Sequence, residues 1–129
     1  MHIVNARTEH DIEPAFTEFA EKKVRALLVA DDPFFQGQRP RILGMAARQG
    51  LPTIYFSRDF VDAGGLMSYG PNLADVYRLV AVYCGRILKG ERPADLPVVQ
   101  PTRFELVINL KSARALALDL PPPLLARAD

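Results

Sequence analysis

Short apolar runs alternate along this chain with segments whose apolar residues recur at helical spacing. Strands joined through helices run parallel, and parallel sheets are covered by helices on both faces. The predicted strands are residues 2–6, 26–30, 52–57, 66–69 and 104–110. The sequence therefore predicts an α/β fold on a parallel sheet, with residues 26–30 as a strand buried on both faces.

The first helix can begin at either of two residues. Thr8 and Asp11 have the spacing of a capping box, but Pro14 would then lie inside the helix. If Asp11 is the N-cap, Pro14 falls in the first turn, where its missing N–H is harmless. We prefer Asp11. Further helices are predicted at residues 41–49 and 111–118, with a loop at 31–40.

The longest helix begins at Pro71 or Asn72 and ends at Gly90. Its regular apolar stripe is the clearest periodicity in the chain. Cys84 belongs to this stripe, which predicts a core residue rather than a nucleophile. The stripe consists of Leu73, Val76, Tyr77, Val80, Cys84, Ile87 and Leu88.

The balance of charge argues against binding to nucleic acid or to an anionic membrane. There are 16 basic and 15 acidic residues, mixed along the whole length. A single cysteine excludes an internal disulfide. The chain as written shows no signal peptide and no apolar span long enough for a bilayer, which predicts a cytoplasmic location.

No catalytic or metal-ligand pattern is present, so the sequence predicts a protein that is not an enzyme and needs no cofactor or metal. Gly64-Gly65 fits no phosphate-binding motif, and Ser57 has no base at a recognisable spacing. Asp31-Asp32 follows a strand, but a magnesium site would need a further carboxylate at a neighbouring strand end. A turn cap explains this pair better.

Sites in open α/β sheets lie beyond the carboxyl ends of the strands. The predicted ends are Asp31-Asp32, residues 56–58, Tyr69-Gly70 and residues 109–111. Aromatic residues near these ends are mostly explained by core packing, although Phe34, in a predicted loop, also suits an apolar wall for a small ligand. The predicted ligand-binding side chains are Asp32, Phe34, Ser57 and Tyr69.

Three long stretches resemble one known family. "FVDAGGLMSYGPNL", "ILKGERPADLPV" and "QPTRFELVINLKSARAL" are similar to the C-terminal part of ABC transporter substrate-binding proteins of the tryptophan/tyrosine type. The resemblance covers nearly the whole chain, and "ARTEHDIEPAF" matches more weakly. It implies a periplasmic binder of a small amino-acid-like solute that works with an ABC permease.

The resemblance also implies a fold and a domain plan. The fold is one α/β lobe of a type I periplasmic-binding-protein-like architecture, incomplete because the first lobe is missing. Residues 1–65 would be C-terminal-lobe elements, 66–102 hinge crossings with an interlobe helix, and 103–129 a return strand and terminal helix. Tyr69 would face the cleft. Ala117 stands where the family usually has glycine, which costs about 1 kcal/mol if that position needs a positive φ.

A missing first lobe would leave the apolar stripe of helix 72–88 uncovered. We therefore expect a homodimer through this helix. Two other functions stay open. One is a receiver-like signalling domain, because "LLVADD" resembles an acidic strand end and Lys111 follows the last strand. The other is a structural dimerisation module that binds no ligand.

Overall fold

A computed structural model describes residues 1–128 of the chain. Helices and strands alternate through most of its length, as predicted. In chain order the elements are α1 (Glu9–Glu21), β1 (Leu27–Leu28), α2 (Pro33–Gly37), α3 (Arg39–Arg48), β2 (Thr53–Tyr55), α4 (Arg58–Asp62), β3 (Met67–Pro71), α5 (Leu73–Leu88), β4 (Phe104–Ile108), α6 (Leu110–Ala115) and α7 (Pro122–Leu125).

The four strands form one sheet in the order β1-β2-β3-β4. The pairs β1–β2 and β2–β3 are parallel, as predicted, but β3 and β4 are antiparallel. Residues 89–103 bring the chain back to the end of β3 at which α5 begins. There the backbone N–H of Asn72 donates to the backbone carbonyl of Arg103 at 3.0 Å. Because β4 starts beside the end of β3, residues 109–111 lie at the opposite end of the strands from the other predicted strand ends.

The core lies against one face of the sheet. Strand register places Leu27, Thr53, Tyr55, Ser68 and Val107 on this face, since paired residues of adjacent strands point the same way. Helices α1 and α3 cover it, and their apolar stripes follow from helical spacing. The buried core cluster is Ile12, Ala15, Phe16, Phe19, Ile42, Ala46, Leu51, Tyr55 and Phe60.

Thr8 is the N-cap of helix α1, so the preference for Asp11 as N-cap is wrong. Asp11 is instead the third helical residue, and its carboxylate accepts the backbone N–H groups of Arg7 at 2.9 Å and Thr8 at 2.8 Å. These bonds lower the pKa of Asp11 below its ordinary value of 3.8. Pro14 is tolerated inside the helix because it is exposed, and water can reach the carbonyl that lacks its usual partner.

Two predicted strands differ in the structure. Residues 2–6 form no strand, and residues 26–30 are reduced to the two-residue β1. The prediction that residues 26–30 are buried is also wrong, because β1 is an edge strand and Leu28 is 70% exposed. The predicted loop 31–40 contains the short helix α2, which Asp32 caps.

Helix α5 has the predicted boundaries, with Asn72 as N-cap and Gly90 at a positive φ of 103°. None of its residues is buried, and Tyr77 and Leu88 are 69% and 87% exposed. Cys84 is exposed too, so its prediction as a core residue is wrong. Helical periodicity locates an apolar stripe but does not say whether another element covers it. Nowhere in residues 1–128 is a helix long and apolar enough to cross a membrane.

Candidate functional site

Three helices begin at the carboxyl ends of the three parallel strands. Helix α2 follows β1, α4 follows β2, and α5 starts directly after β3. Each N-cap side chain accepts a backbone N–H of its own helix, a usual way to satisfy the first turn. The caps are Asp32, Ser57 and Asn72. Several helix N-termini therefore lie at the carboxyl ends of the parallel strands, and helix N-termini favour negatively charged groups.

Asp32 and Phe34 lie together at the start of α2. The Asp32 carboxylate accepts the backbone N–H of Phe34 at 2.7 Å, and the rest of the carboxylate is exposed. Phe34 is half-buried, packs against the core cluster and contacts the Phe35 ring at a centroid distance of 5.4 Å. Part of the Phe34 residue is thus used in core packing, which the predicted loop did not suggest, because residues 33–37 form a helix instead.

Ser57 is only 5% exposed. Its hydroxyl oxygen accepts the backbone N–H of Asp59 at 3.2 Å. The local role of this side chain is to start α4 after the end of β2. Direct contact between Ser57 and a ligand stays a prediction.

Tyr69 lies in β3 with its side chain on the sheet face opposite the core, because its neighbour Ser68 is on the core face and is 2% exposed. The Tyr69 ring is 55% exposed and stacks on Phe104 at 5.7 Å. Phe104, in β4, is 47% exposed. The sequence analysis missed Phe104, because only the antiparallel pairing of β4 brings it beside Tyr69.

Charged and polar side chains surround the start of α5. Arg103 lies 3.7 Å from Asp75 and 3.9 Å from Glu105, and the Asn72 side-chain amide donates to Glu105. Glu105 is the most sheltered partner, at 16% exposure. This cluster connects the ends of β3 and β4 to the first turn of α5 beside the stacked aromatic pair. No sequence motif predicts this cluster, because its members come from two distant segments of the chain.

Gly70 fixes the approach of β3 to β2. A Cβ built at this position would overlap the backbone carbonyl oxygen of Phe56. Gly65 is similarly restricted, since its Cβ would lie 2.7 Å from the Phe60 carbonyl oxygen and from the Tyr55 ring. Gly65 and Gly70 therefore allow close contact with neighbouring backbone atoms, whereas Gly64 has open space around it and a positive φ of 107°.

The four predicted site residues do not line one pocket. A groove of about 940 Å³ lies between residues 1–7, α1 and β1, and of the four it includes only Asp32. Within residues 1–128 no group of three His, Cys, Asp or Glu side chains could hold a metal ion. The carboxyl ends of the parallel strands instead carry separate groups, with Phe34 packed against the core and Tyr69 stacked on Phe104 on the opposite sheet face. Together with the caps Asp32 and Ser57, these side chains are called the strand-end wall below.

Solved structures similar to the whole described fold are known. A conserved domain protein from Vibrio cholerae O1 biovar eltor is 25% identical, with a TM-score of 0.84, over 97% of this chain and 42% of its own. An ABC domain from Streptococcus pneumoniae in complex with L-Trp is 27% identical, with a TM-score of 0.83, over 92% of this chain and 41% of its own. The chain thus spans about two fifths of these structures.

A third structure supports the fold alone. It is the ligand-free, open form of a substrate-binding protein with adhesive properties from Clostridium difficile, 21% identical with a TM-score of 0.62, matched over 91% of this chain and 39% of its own. No curated protein sequence matches the chain. The similarities agree with the predicted α/β fold of a periplasmic-binding-protein type, of which this chain covers only part. The family of ABC transporter substrate-binding proteins matches residues 2–129, so the chain belongs to that family.

Proposed function

We propose that this chain is a non-enzymatic solute-binding component of an ABC-type uptake transporter and that its ligand is a small amino-acid-like molecule. The family match over residues 2–129 carries the proposal. The similar Streptococcus pneumoniae domain in complex with L-Trp supports the ligand class. An ABC permease would be the partner in a complete system. The receiver-like alternative loses support because Lys111, after the antiparallel β4, lies at the opposite end of the strands from Asp31-Asp32.

The strand-end wall suits the chemistry of an amino acid. The exposed Asp32 carboxylate can pair with an ammonium group, and the first turn of α5 offers backbone N–H groups to a carboxylate. Tyr69, stacked on Phe104, offers an exposed aromatic surface to an apolar or aromatic side chain. Phe34 and Ser57 would complete the wall around these contacts. An open wall leaves much of a ligand in solvent, so we expect weak binding by this chain alone.

A thermal-shift screen with the standard amino acids at millimolar concentration tests the proposal. We expect aromatic or branched amino acids to raise the melting temperature, because a ligand that binds the folded state stabilises it. Tyr69→Ala should abolish the shift. Val82→Ala is the control, since Val82 is also an exposed apolar side chain but lies farther along α5, outside the apolar stripe.

Three results would argue against this function. The proposal of an amino-acid-like ligand is refuted if no amino acid shifts the melting temperature. In that case the alternative of a structural dimerisation module gains support. The strand-end wall is not the binding surface if Tyr69→Ala and Val82→Ala respond to ligand alike. The proposed pairing of the Asp32 carboxylate with the ligand's ammonium group is refuted if folded Asp32→Asn binds the ligand as well as the original chain.

We also propose that two copies of the chain associate through α5. The exposed residues Tyr77, Val80 and Leu88 form an apolar surface of a kind that soluble proteins usually cover. Antiparallel packing of two α5 helices would also oppose their dipoles favourably. Light scattering should give twice the monomer mass, and Val80→Glu should restore the monomer. Arg78→Glu, at a position 72% exposed, is the control with an added acid outside the stripe. A monomer at high concentration would refute the dimer.

A further inference from the structure

Four side chains connect the start of α5 to the start of β4. Asn72 is the N-cap of α5, Asp75 lies in its first turn, and on the returning chain Arg103 immediately precedes Glu105 and its neighbours in β4. The backbone N–H of Asn72 donates to the Arg103 carbonyl, so the main chain also joins the two segments here. We call this cluster of Asn72, Asp75, Arg103 and Glu105 the junction between α5 and the sheet.

The Asn72 side chain is held at both ends of its amide group. Its carbonyl oxygen accepts the backbone N–H of Asp75 at 2.9 Å, which caps α5. Its NH2 group donates to Oε1 of Glu105. An ionised carboxylate only accepts hydrogen bonds, whereas an amide group has one accepting and one donating end. Glu105 therefore favours a single orientation of the Asn72 amide, the one that presents the carbonyl to the helix.

Glu105 is a firmer partner for Asn72 than Arg103 is for either acid. Glu105 lies in β4 opposite Gly70 of β3, and only 16% of its side chain is exposed. The Arg103 side chain is 64% exposed and lies 3.7 Å from Asp75 and 3.9 Å from Glu105. Exposed ion pairs contribute little to stability. The hydrogen bond between Asn72 and Glu105 is therefore the main side-chain contact of the junction.

Polar contacts farther along α5 do not reach the sheet. In residues 1–128, the side-chain hydrogen bonds and ion pairs beyond the first turn stay within α5 or reach residues 89–103. The Tyr83 hydroxyl donates to the Pro97 carbonyl at 2.6 Å, and Arg86 pairs with Glu91 at 2.6 Å. These contacts hold α5 and residues 89–103 to each other. Polar contact between α5 and the sheet is thus concentrated at the junction.

We infer that Glu105 is a positioning residue, whose carboxylate keeps the Asn72 amide in the capping orientation and thereby sets the direction in which α5 leaves β3. Without a partner that only accepts, the amide can turn over. Its NH2 group would then face the backbone N–H of Asp75, and the cap would be lost. A helix end that loses its cap leaves backbone groups without partners, so the first turn of α5 would no longer keep one fixed position.

The position of α5 also affects ligand binding, a step that rests on the proposed function. The backbone N–H groups of Leu73 and Ala74 have no acceptor within residues 1–128. They belong to the first turn of α5, which is proposed to receive the ligand's carboxylate. Their direction follows the direction of α5. Glu105 would therefore influence binding through Asn72, to which its Oε1 is already bonded, rather than by touching the ligand.

Glu105→Gln tests the positioning role, because the new side chain has nearly the same shape but an amide that both donates and accepts. Glu91→Gln is the matched control, since Glu91 pairs with Arg86 at the other end of α5. Residual dipolar couplings of backbone amides measure the direction of α5 relative to β3 and β4. We expect Glu105→Gln to change the α5 couplings and to speed hydrogen exchange of the Asp75 amide about tenfold. Glu91→Gln should change neither. Unchanged α5 couplings in folded Glu105→Gln overturn the inference, because a loss of stability alone does not rotate the helix.

Reversing the hydrogen bond gives a second test. Asn72→Asp keeps a good capping residue but places two carboxylates against each other, so we expect the equilibrium constant of unfolding to rise about tenfold. Adding Glu105→Gln lets the new amide donate to the new carboxylate. This double variant should recover most of the lost stability and the original α5 couplings. A double variant no more stable than the two single changes predict by addition overturns the inference. If Asn72→Asp alone does not fold, the couplings of Glu105→Gln decide.

Calorimetric titration with L-Trp, the ligand of the similar Streptococcus pneumoniae domain, separates this role from the proposed function. We expect Glu105→Gln to weaken L-Trp binding by about three- to tenfold and the double variant to restore it. Equal binding by folded Glu105→Gln and the original chain overturns the link between Glu105 and the ligand. If the original chain itself binds no amino acid, the proposed function is refuted, and the α5 couplings still decide whether Glu105 positions the helix.

Discussion

Replacing Ala117 by glycine should stabilise this protein. Ala117 follows helix α6 with a φ of 52°, in the left-handed region that favours glycine. The backbone N–H of Leu118 donates to the carbonyl of Ala113 at 3.0 Å, and that of Ala117 donates to Arg114 at 3.0 Å. These two bonds close the end of the helix and need the positive φ between them. The helix therefore ends in a turn that holds an alanine in a strained conformation.

The expected gain follows from two opposing contributions. The left-handed conformation costs a residue with a Cβ about 1–2 kcal/mol, and glycine avoids this cost. Glycine makes the unfolded chain more flexible, which opposes the gain by about 0.4–1 kcal/mol. The net increase in the free energy of unfolding for Ala117→Gly is therefore about 0.5–1 kcal/mol. The melting temperature should rise by about 2–5 °C for a chain of this size.

Urea denaturation monitored by circular dichroism measures the change. The midpoint should rise while the slope stays constant, since the substitution leaves the surface exposed on unfolding unchanged. Gly50→Ala is the matched control, because Gly50 ends α3 with a φ of 59° and no atom lies within 4 Å of an added Cβ. It should lose about 1 kcal/mol. The strain argument is refuted if Ala117→Gly lowers stability or if Gly50→Ala raises it.

Three further substitutions test packing and pH dependence. Gly70→Ala should destabilise the fold by about 1–3 kcal/mol, because its Cβ would overlap the Phe56 carbonyl. Gly44→Ala, in open space within α3, should instead stabilise the fold by about 0.5–1 kcal/mol. Similar urea midpoints for the two variants would contradict this reasoning. Burial raises the pKa of Tyr55 to about 12 from an ordinary value of 10.0. Its contribution to stability is therefore present below pH 10 and lost as pH rises through about 12. Tyr55→Phe should remove that part of the alkaline loss, and an unchanged alkaline profile would show that Tyr55 does not cause it.

The local elements were largely predictable from residue patterns. Asn72 and Gly90 bracket α5 because a capping amide and a residue suited to positive φ are local chemical signals. The start of α1 was missed because Thr8 and Pro14 gave conflicting signals. The capping box prevailed over the proline, whose position is exposed. The outcome of such a conflict depends on whether the capping hydrogen bonds stabilise the helix more than the proline destabilises it.

The candidate site was predictable only in part. The ends of β1, β2 and β3 lie at one edge because the strands are parallel, and the sequence pattern indicates parallel strands. The cap interpretation of the Asp31-Asp32 pair is confirmed for Asp32, whereas the cap role of Ser57 was not predicted. The partnership of Tyr69 with Phe104 depends on the antiparallel pairing of β4 with β3, whose residues are far apart in the sequence. Contacts between such distant segments need the pairing of whole strands.

The sequence by itself determined the α/β class, the family resemblance and the ends of most helices, because these depend on residue type and short-range spacing. Tertiary structure decided which apolar surfaces are covered. Leu28 and the stripe of α5 have the composition of buried elements, yet they are exposed, because burial depends on which other elements pack against them. The direction of β4 was settled in the same way, since the path of residues 89–103 determines where the strand begins.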